Sequence, residues 1–141
     1  MPARRQEPIG LQVARTAKAM GRAFDEAMGA AGGSVSTWLI VLALKTGSTR
    51  TQAELAAAVG VQGPTMTHHL DGLERAGLVT RERDPANRRV HLVRLTVAGA
   101  AMFHQLREAA VAFDRRARAG LSAPEEAELR RLLDLLHANV T

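Results

Sequence analysis

The sequence predicts a mainly α-helical chain broken once by a small β-hairpin, and three observations predict it. Apolar residues recur at three- and four-residue spacing along most of the chain. Capping signals and glycines cut that pattern into separate helices. The period changes to a strand-like one only once, on either side of Asp84-Pro85-Ala86-Asn87.

Taken in order, residues 9–30 read as a long helix with Ile9, Val13, Met20 and Phe24 on one side, stopped by Gly32-Gly33. Ser34 suits the cap of a second helix carrying Trp38, Val41 and Leu42 and ending near Gly47. Thr51-Gln52-Ala53-Glu54 is a capping box that opens a short helix broken by Gly60. Gly63-Pro64 opens the next, with proline at the first helical position, where its missing donor costs nothing. Met66, Leu70 and Leu73 turn inward at i, i+4 and i+7, and Ala76-Gly77 ends this helix. The runs 78–83 and 90–95 then read as two strands. Between them proline suits a turn, Asn87 tolerates a left-handed backbone, and Arg81 and Arg94 are expected to point away from the core. From Thr96 the helical period returns in Phe103, Leu106, Ala110, Phe113 and Ala117. A second capping box, Ser122 to Glu125, launches a final helix with Leu129, Leu132, Leu133 and Leu136 on one stripe.

Composition narrows the function. With 141 residues, 46% hydrophobic and 23% charged, the chain suits one ordinary globular domain, and with 3% aromatics its core is aliphatic. No apolar run approaches the roughly 20 residues that span a bilayer. The segment 1–10 lacks the apolar stretch of a secretory signal, so a cytoplasmic protein with no membrane partner is expected. Without cysteine, disulfides, thiolate metal sites and cysteine redox switches are excluded. A Gly-rich phosphate loop and a nucleophile–base–carboxylate arrangement are both missing, so no enzyme and no cofactor are expected.

Charge points to a polyanion. The formal charge is +5, and between Arg75 and Arg94 six arginines face only Glu82 and Asp84, so +4 of it falls within twenty residues. A GC-rich genome also favours arginine, and only Lys18 and Lys45 are lysines, so its placement says more than its number.

The middle of the chain joins these threads. Two short helices linked through Gly60-Val61 and followed by a basic hairpin make a helix-turn-helix with a wing. The second helix fits a DNA major groove, presenting Gln62, Thr65, Thr67 and His68, and its N-terminus favours a phosphate. Arg88 and Arg89 at the hairpin tip suit the negative minor groove. The plain alternatives are a polar helix face and a solvated turn.

Residues 51–56 (Thr-Gln-Ala-Glu-Leu-Ala), Gly60-Val61, Pro64-Thr65-Met66-Thr67, Leu73-Glu74-Arg75-Ala76-Gly77-Leu78-Val79, the hairpin 83–89 and Val93-Arg94-Leu95-Thr96 together resemble the MarR (multiple antibiotic resistance regulator) family. The resemblance runs over the whole chain. It implies a winged helix-turn-helix lobe at about 34–95, flanked by dimerisation helices at about 9–31 and 96–140. It also implies a bacterial or archaeal homodimer on a pseudo-palindromic operator in double-stranded DNA, commonly a repressor released by a small aromatic or phenolic effector. By position, Thr65, Thr67 and His68 face the major groove, Arg88 and Arg89 belong to the wing, and Asp84 braces the wing through a wing arginine. Trp38 reads first as a core residue and His69 as a hydrogen-bonded packing residue, but where the family's effectors bind, both are also candidates to line the effector pocket. Two departures stand out. His68 replaces the arginine of many relatives, which changes base preference. Gly72 sits inside the recognition helix at a cost of about 1 kcal/mol relative to alanine.

Three other readings are weaker. Catalysis lacks a constellation, and a winged helix used only for protein contacts leaves the arginine cluster unexplained. A zinc-responsive regulator would need ligands that converge. His68 and His69 are neighbours about 100° apart on a helix, and His91, His104 and His137 lie in separate elements, so no metal site is expected.

Overall fold

The computed structural model describes residues 6–47 and 51–141. Residues 1–5 of the N-terminal segment read above, and residues 48–50, lie outside the described residues. Six helices and one hairpin follow the expected order: α1 (Ile9–Ala30), α2 (Val35–Thr46), α3 (Gln52–Val59), α4 (Gly63–Arg75), β1 (Val79–Asp84), β2 (Asn87–Leu95), α5 (Val97–Ala117) and α6 (Ala123–Val140).

The local signals act as their chemistry requires. Ser34, Thr51, Thr96 and Ser122 each sit at an N-cap with the side-chain oxygen accepting from the backbone N–H three residues on. At Ser122 the box is complete, since Glu125 also accepts from the Ser122 N–H at 3.0 Å. That bond holds the Glu125 carboxyl below its ordinary pKa. Helix α4 begins one residue earlier than expected, at Gly63, and Pro64 still falls in its first turn, where no donor is missed. It ends in a Schellman motif. Gly77, at φ +76°, donates to the Glu74 carbonyl, and Leu78 donates to that of Leu73.

Two clusters form the interior, with α2 between them. Ile40 joins Leu55, Met66, Leu70, Leu73, Val79 and Val93 in the core of the helix-turn-helix and hairpin. Its neighbour Val41, about 100° round the helix, joins Met28, Phe103 and Leu106 under α1 and α5. Gln105 ties these elements together, donating from Nε2 to the Ala31 carbonyl at 2.5 Å beyond the end of α1. The expected inward residues Met66, Leu70, Leu73, Phe103 and Leu106 are all buried.

The hairpin differs from expectation in two ways. Its ladder runs in register from Val79↔Leu95 to Arg83↔His91, then shifts so that Asp84 pairs with Asn87. Residues 88–90 thus form a bulge within a strand longer than expected. Asn87 is not left-handed, and no residue other than glycine has positive φ among the described residues. Its side chain stabilises the turn instead. Asn87 Oδ1 accepts from Arg89 N at 3.2 Å and Asp84 Oδ1 from Ala86 N at 2.9 Å, so side-chain acceptors replace backbone strain.

Arg81 reverses a second expectation. Lying two residues after buried Val79, it shares the inward face of β1, and its side chain is only 17% exposed. The guanidinium reaches α4, donating to Asp71 at 2.5 Å and to Glu74 at 3.3 Å. Hydrogen bonding to Glu74 raises its pKa. Arg94 does point outward as expected, pairing with Glu82 on the solvent face. Replacing Arg81 with Met would leave two carboxylates of one helix face without their cation. The variant is expected to lose about 1–2 kcal/mol, below the cost at a fully buried pair because both acids are half exposed. Urea unfolding checks this, and an unchanged midpoint contradicts it.

Candidate nucleic-acid interface

Helix α4 turns Met66, Leu70 and Leu73 into the core, which leaves Thr65, Thr67 and His68 on its outer face. Gln62, at its N-cap, is exposed and makes no side-chain capping bond, so its amide stays available to a ligand. The Thr67 hydroxyl is already engaged. It donates to the Gly63 carbonyl at 3.1 Å and accepts from Gln52 Nε2 at 2.5 Å.

Beside this face stands the wing. Arg88 and Arg89 are exposed, and neither takes part in the hairpin's ion pairs among the described residues, which join Arg94 to Glu82 and Arg81 to Asp71 and Glu74. Arg83 shapes the bulge from within by donating to the Arg88 carbonyl at 3.1 Å. Asp84 braces the turn through the Ala86 N–H and not through an arginine, a correction that follows from the two-residue turn placing that amide within its reach. A cleft lined by Gln52, Gly63, Arg89 and His91 joins the two parts, so the start of α4 and the wing arginine border one groove. Of the six arginines between residues 75 and 94, Arg81 is neutralised by its two acids and Arg94 pairs with Glu82, while Arg89 lines the groove, with Arg88 beside it in the sequence.

The two residues named for a pocket, Trp38 and His69, have different surroundings. Trp38 stacks on Phe103, centroids 5.8 Å apart and 11° between planes, within the packing of α1, α2 and α5. His69 instead lines an open cleft with Ser34, Thr37, Gly72, Arg75 and Met102. The rings of His68 and His69 lie 6.2 Å apart at 53°, and the described residues hold no group of three or more side chains able to bind a metal.

Sequence reasoning missed Arg81 and Gln52. The two-residue period from Val79 could have exposed the first, together with Asp71 and Glu74 three apart on one helix face. Nothing local signals Gln52, because its partner lies fifteen residues away.

A helix-turn-helix with an arginine-tipped hairpin, held among long helices, defines a winged-helix protein. The MarR family model matches residues 34–91, the segment that carries these features. A curated relative, an uncharacterised HTH-type transcriptional regulator YdgJ of Bacillus subtilis, is 34% identical over 85 residues, 60% of this chain. The chain matches about half the length of that relative. Among solved structures, a cysteine-to-serine mutant of MarR from E. coli complexed with operator DNA superposes with a TM-score of 0.79 at 25% identity, covering 92% of this chain and 93% of that one. BpsR of Bordetella bronchiseptica, whose DNA binding is regulated by 6-hydroxynicotinic acid, has a TM-score of 0.80 at 20% identity, with 97% and 98% covered, a likeness of fold.

Proposed function

We propose that this protein is a sequence-specific regulator of transcription that binds double-stranded DNA as a dimer and acts as a repressor released by a small molecule. The groove shared by the start of α4 and the wing arginine carries this reading, because it sets polar side chains for base edges beside cations for phosphate or minor groove. Gln62, Thr65, Thr67 and His68 meet the bases, and Arg88 and Arg89 serve the wing. The MarR mutant complexed with operator DNA supports the DNA-binding reading.

Dimerisation follows from uncovered apolar surface. In α6 no residue is buried, and Leu129, Leu132, Leu133 and Leu135 are 42–50% exposed. Ile9 and Leu11 of α1 are 60% and 57% exposed, and Ile9 and Val13 border a groove with Leu133, Leu136 and Val140. A second copy related by a two-fold axis buries this surface and sets two recognition helices about 34–36 Å apart. For the effector we favour the cleft of His69, Ser34, Thr37 and Arg75, which adjoins α4 and lies against α5, so a ligand there bears on both the DNA face and the dimer helices. Effector control of BpsR supports this part of the reading.

The test is a titration onto labelled DNA from upstream of the protein's own gene, beside scrambled DNA of equal length, at several salt concentrations. Specific binding is expected to be roughly 10³-fold tighter or more and to weaken steeply with salt. Equal binding to both DNAs at every salt would overturn the proposal. Sedimentation at micromolar concentration is expected to show a dimer, and a monomer there contradicts the proposed assembly.

A further inference from the structure

We infer that Gln52 is a positioning residue for base recognition, acting through Thr67 and not by touching DNA itself. The inference rests on the DNA-binding reading above.

A threonine hydroxyl has one hydrogen to donate and two lone pairs. In this fold the hydrogen of Thr67 goes to the Gly63 carbonyl, one turn back on α4. One lone pair takes the hydrogen of Gln52 Nε2 at 2.5 Å. What remains on the exposed side is a single acceptor lone pair and the γ-methyl group. Locked in this way, Thr67 accepts from an exocyclic amine, on cytosine or adenine, or lies against a thymine methyl. It cannot donate to the acceptor edge of guanine. Unlocked, the hydroxyl turns to either role, and the discrimination falls.

Gln52 is well placed for this task because it is anchored twice. It is the first residue of α3, whose N-cap Thr51 accepts from Glu54 N at 3.1 Å. Thr51 also forms an isolated antiparallel bridge with Leu92 of β2. The amide that orients Thr67 is thus tied through one residue to the strand that carries the wing. Recognition helix and wing take their relative setting from the same point, and both line the cleft between them. A long amide side chain suits the position, since it spans from one helix to the next, keeps a donor for Thr67 and carries no charge toward the phosphates.

The experiment selects binding sites from a library of random-sequence DNA duplexes with the wild-type protein, Gln52→Met, Thr67→Val and the double variant. Methionine keeps the length of the side chain without its donor, and thermal melts confirm that each variant folds. Wild-type protein is expected to disfavour guanine at the base step under Thr67. The Gln52→Met protein should lose about five- to tenfold of that discrimination, the scale of one hydrogen bond, with little loss of affinity for the best site. The double variant should match Thr67→Val alone, because Gln52 has no effect once its target hydroxyl is gone. An unchanged base preference in Gln52→Met overturns the inference. So does an additive loss of affinity in the double variant at all sequences, which marks Gln52 as a direct backbone contact. Failure of the wild-type protein to enrich any sequence strikes at the DNA-binding reading instead, so the two failures are distinguishable.

Discussion

Replacing Gly99 with alanine is expected to lower the melting temperature by about 6–12 °C or more. Gly99 lies in the first turn of α5 and is buried. A Cβ built there would sit 2.0 Å from the Leu78 carbonyl oxygen and 2.9 Å from a methyl of Leu95. The first neighbour is backbone, and it cannot rotate aside. That carbonyl also accepts the Thr96 N–H at 3.1 Å, while the Thr96 hydroxyl donates to the Gly77 carbonyl at 2.6 Å. The junction where α5 starts is therefore the joint that fastens it to the turn between α4 and the hairpin. Overpacking of this kind costs about 3 kcal/mol, toward the upper end of such changes because backbone must shift. At this chain length each kcal/mol moves the midpoint by about 2–4 °C. Gly72→Ala is the matched control. A Cβ there meets only the Arg75 guanidinium at 4.0 Å, so relief of the helix-interior penalty should stabilise the fold by about 0.5–1 kcal/mol. Melts must be compared at one protein concentration, because dimerisation shifts them by mass action. If the two variants melted alike, the proximity of α5 to the Leu78 carbonyl would be refuted.

The second large effect concerns DNA. Truncating both Arg88 and Arg89 to alanine is expected to weaken specific binding by at least about tenfold and to reduce the salt slope by about 2. Both side chains are exposed, and neither joins the ion pairs of the hairpin among the described residues, so their loss should leave the melting curve in place. The turn keeps its geometry because its bonds use backbone atoms of residues 86, 88 and 89. Asp84 and Asn87 supply two of the acceptors, and Arg83 the donor. An intact fold with an unchanged slope would remove the wing from the interface, and the discriminating contacts would then rest with α4 alone.

These two sites show where sequence and tertiary structure divide the work. The helices were legible because their causes are local. A cap at Ser34, Thr51, Thr96 or Ser122 satisfies an amide three residues away, and a left-handed glycine at 77 closes the helix that precedes it. Apolar spacing likewise placed Met66, Leu70 and Leu73 inward, and so left Thr65, Thr67 and His68 outward. The arginine-rich hairpin was legible from the turn residues 84–87 and the placement of arginines around them.

What the sequence could not decide depends on partners distant along the chain. Arg81 reads as a solvent-facing cation until β1 is laid against α4, where Asp71 and Glu74 claim it. Trp38 reads from the sequence as core or pocket, and only the packing of α5 brings Phe103 against its ring. The bulge at residues 88–90 arises from the registration of two strands, which a period of two leaves open. Local order thus follows from residues a turn apart, whose geometry any helix or hairpin fixes in advance. The interface, the joint at Gly99 and the link from Gln52 to Thr67 follow from the packing of elements, which only the folded chain as a whole determines.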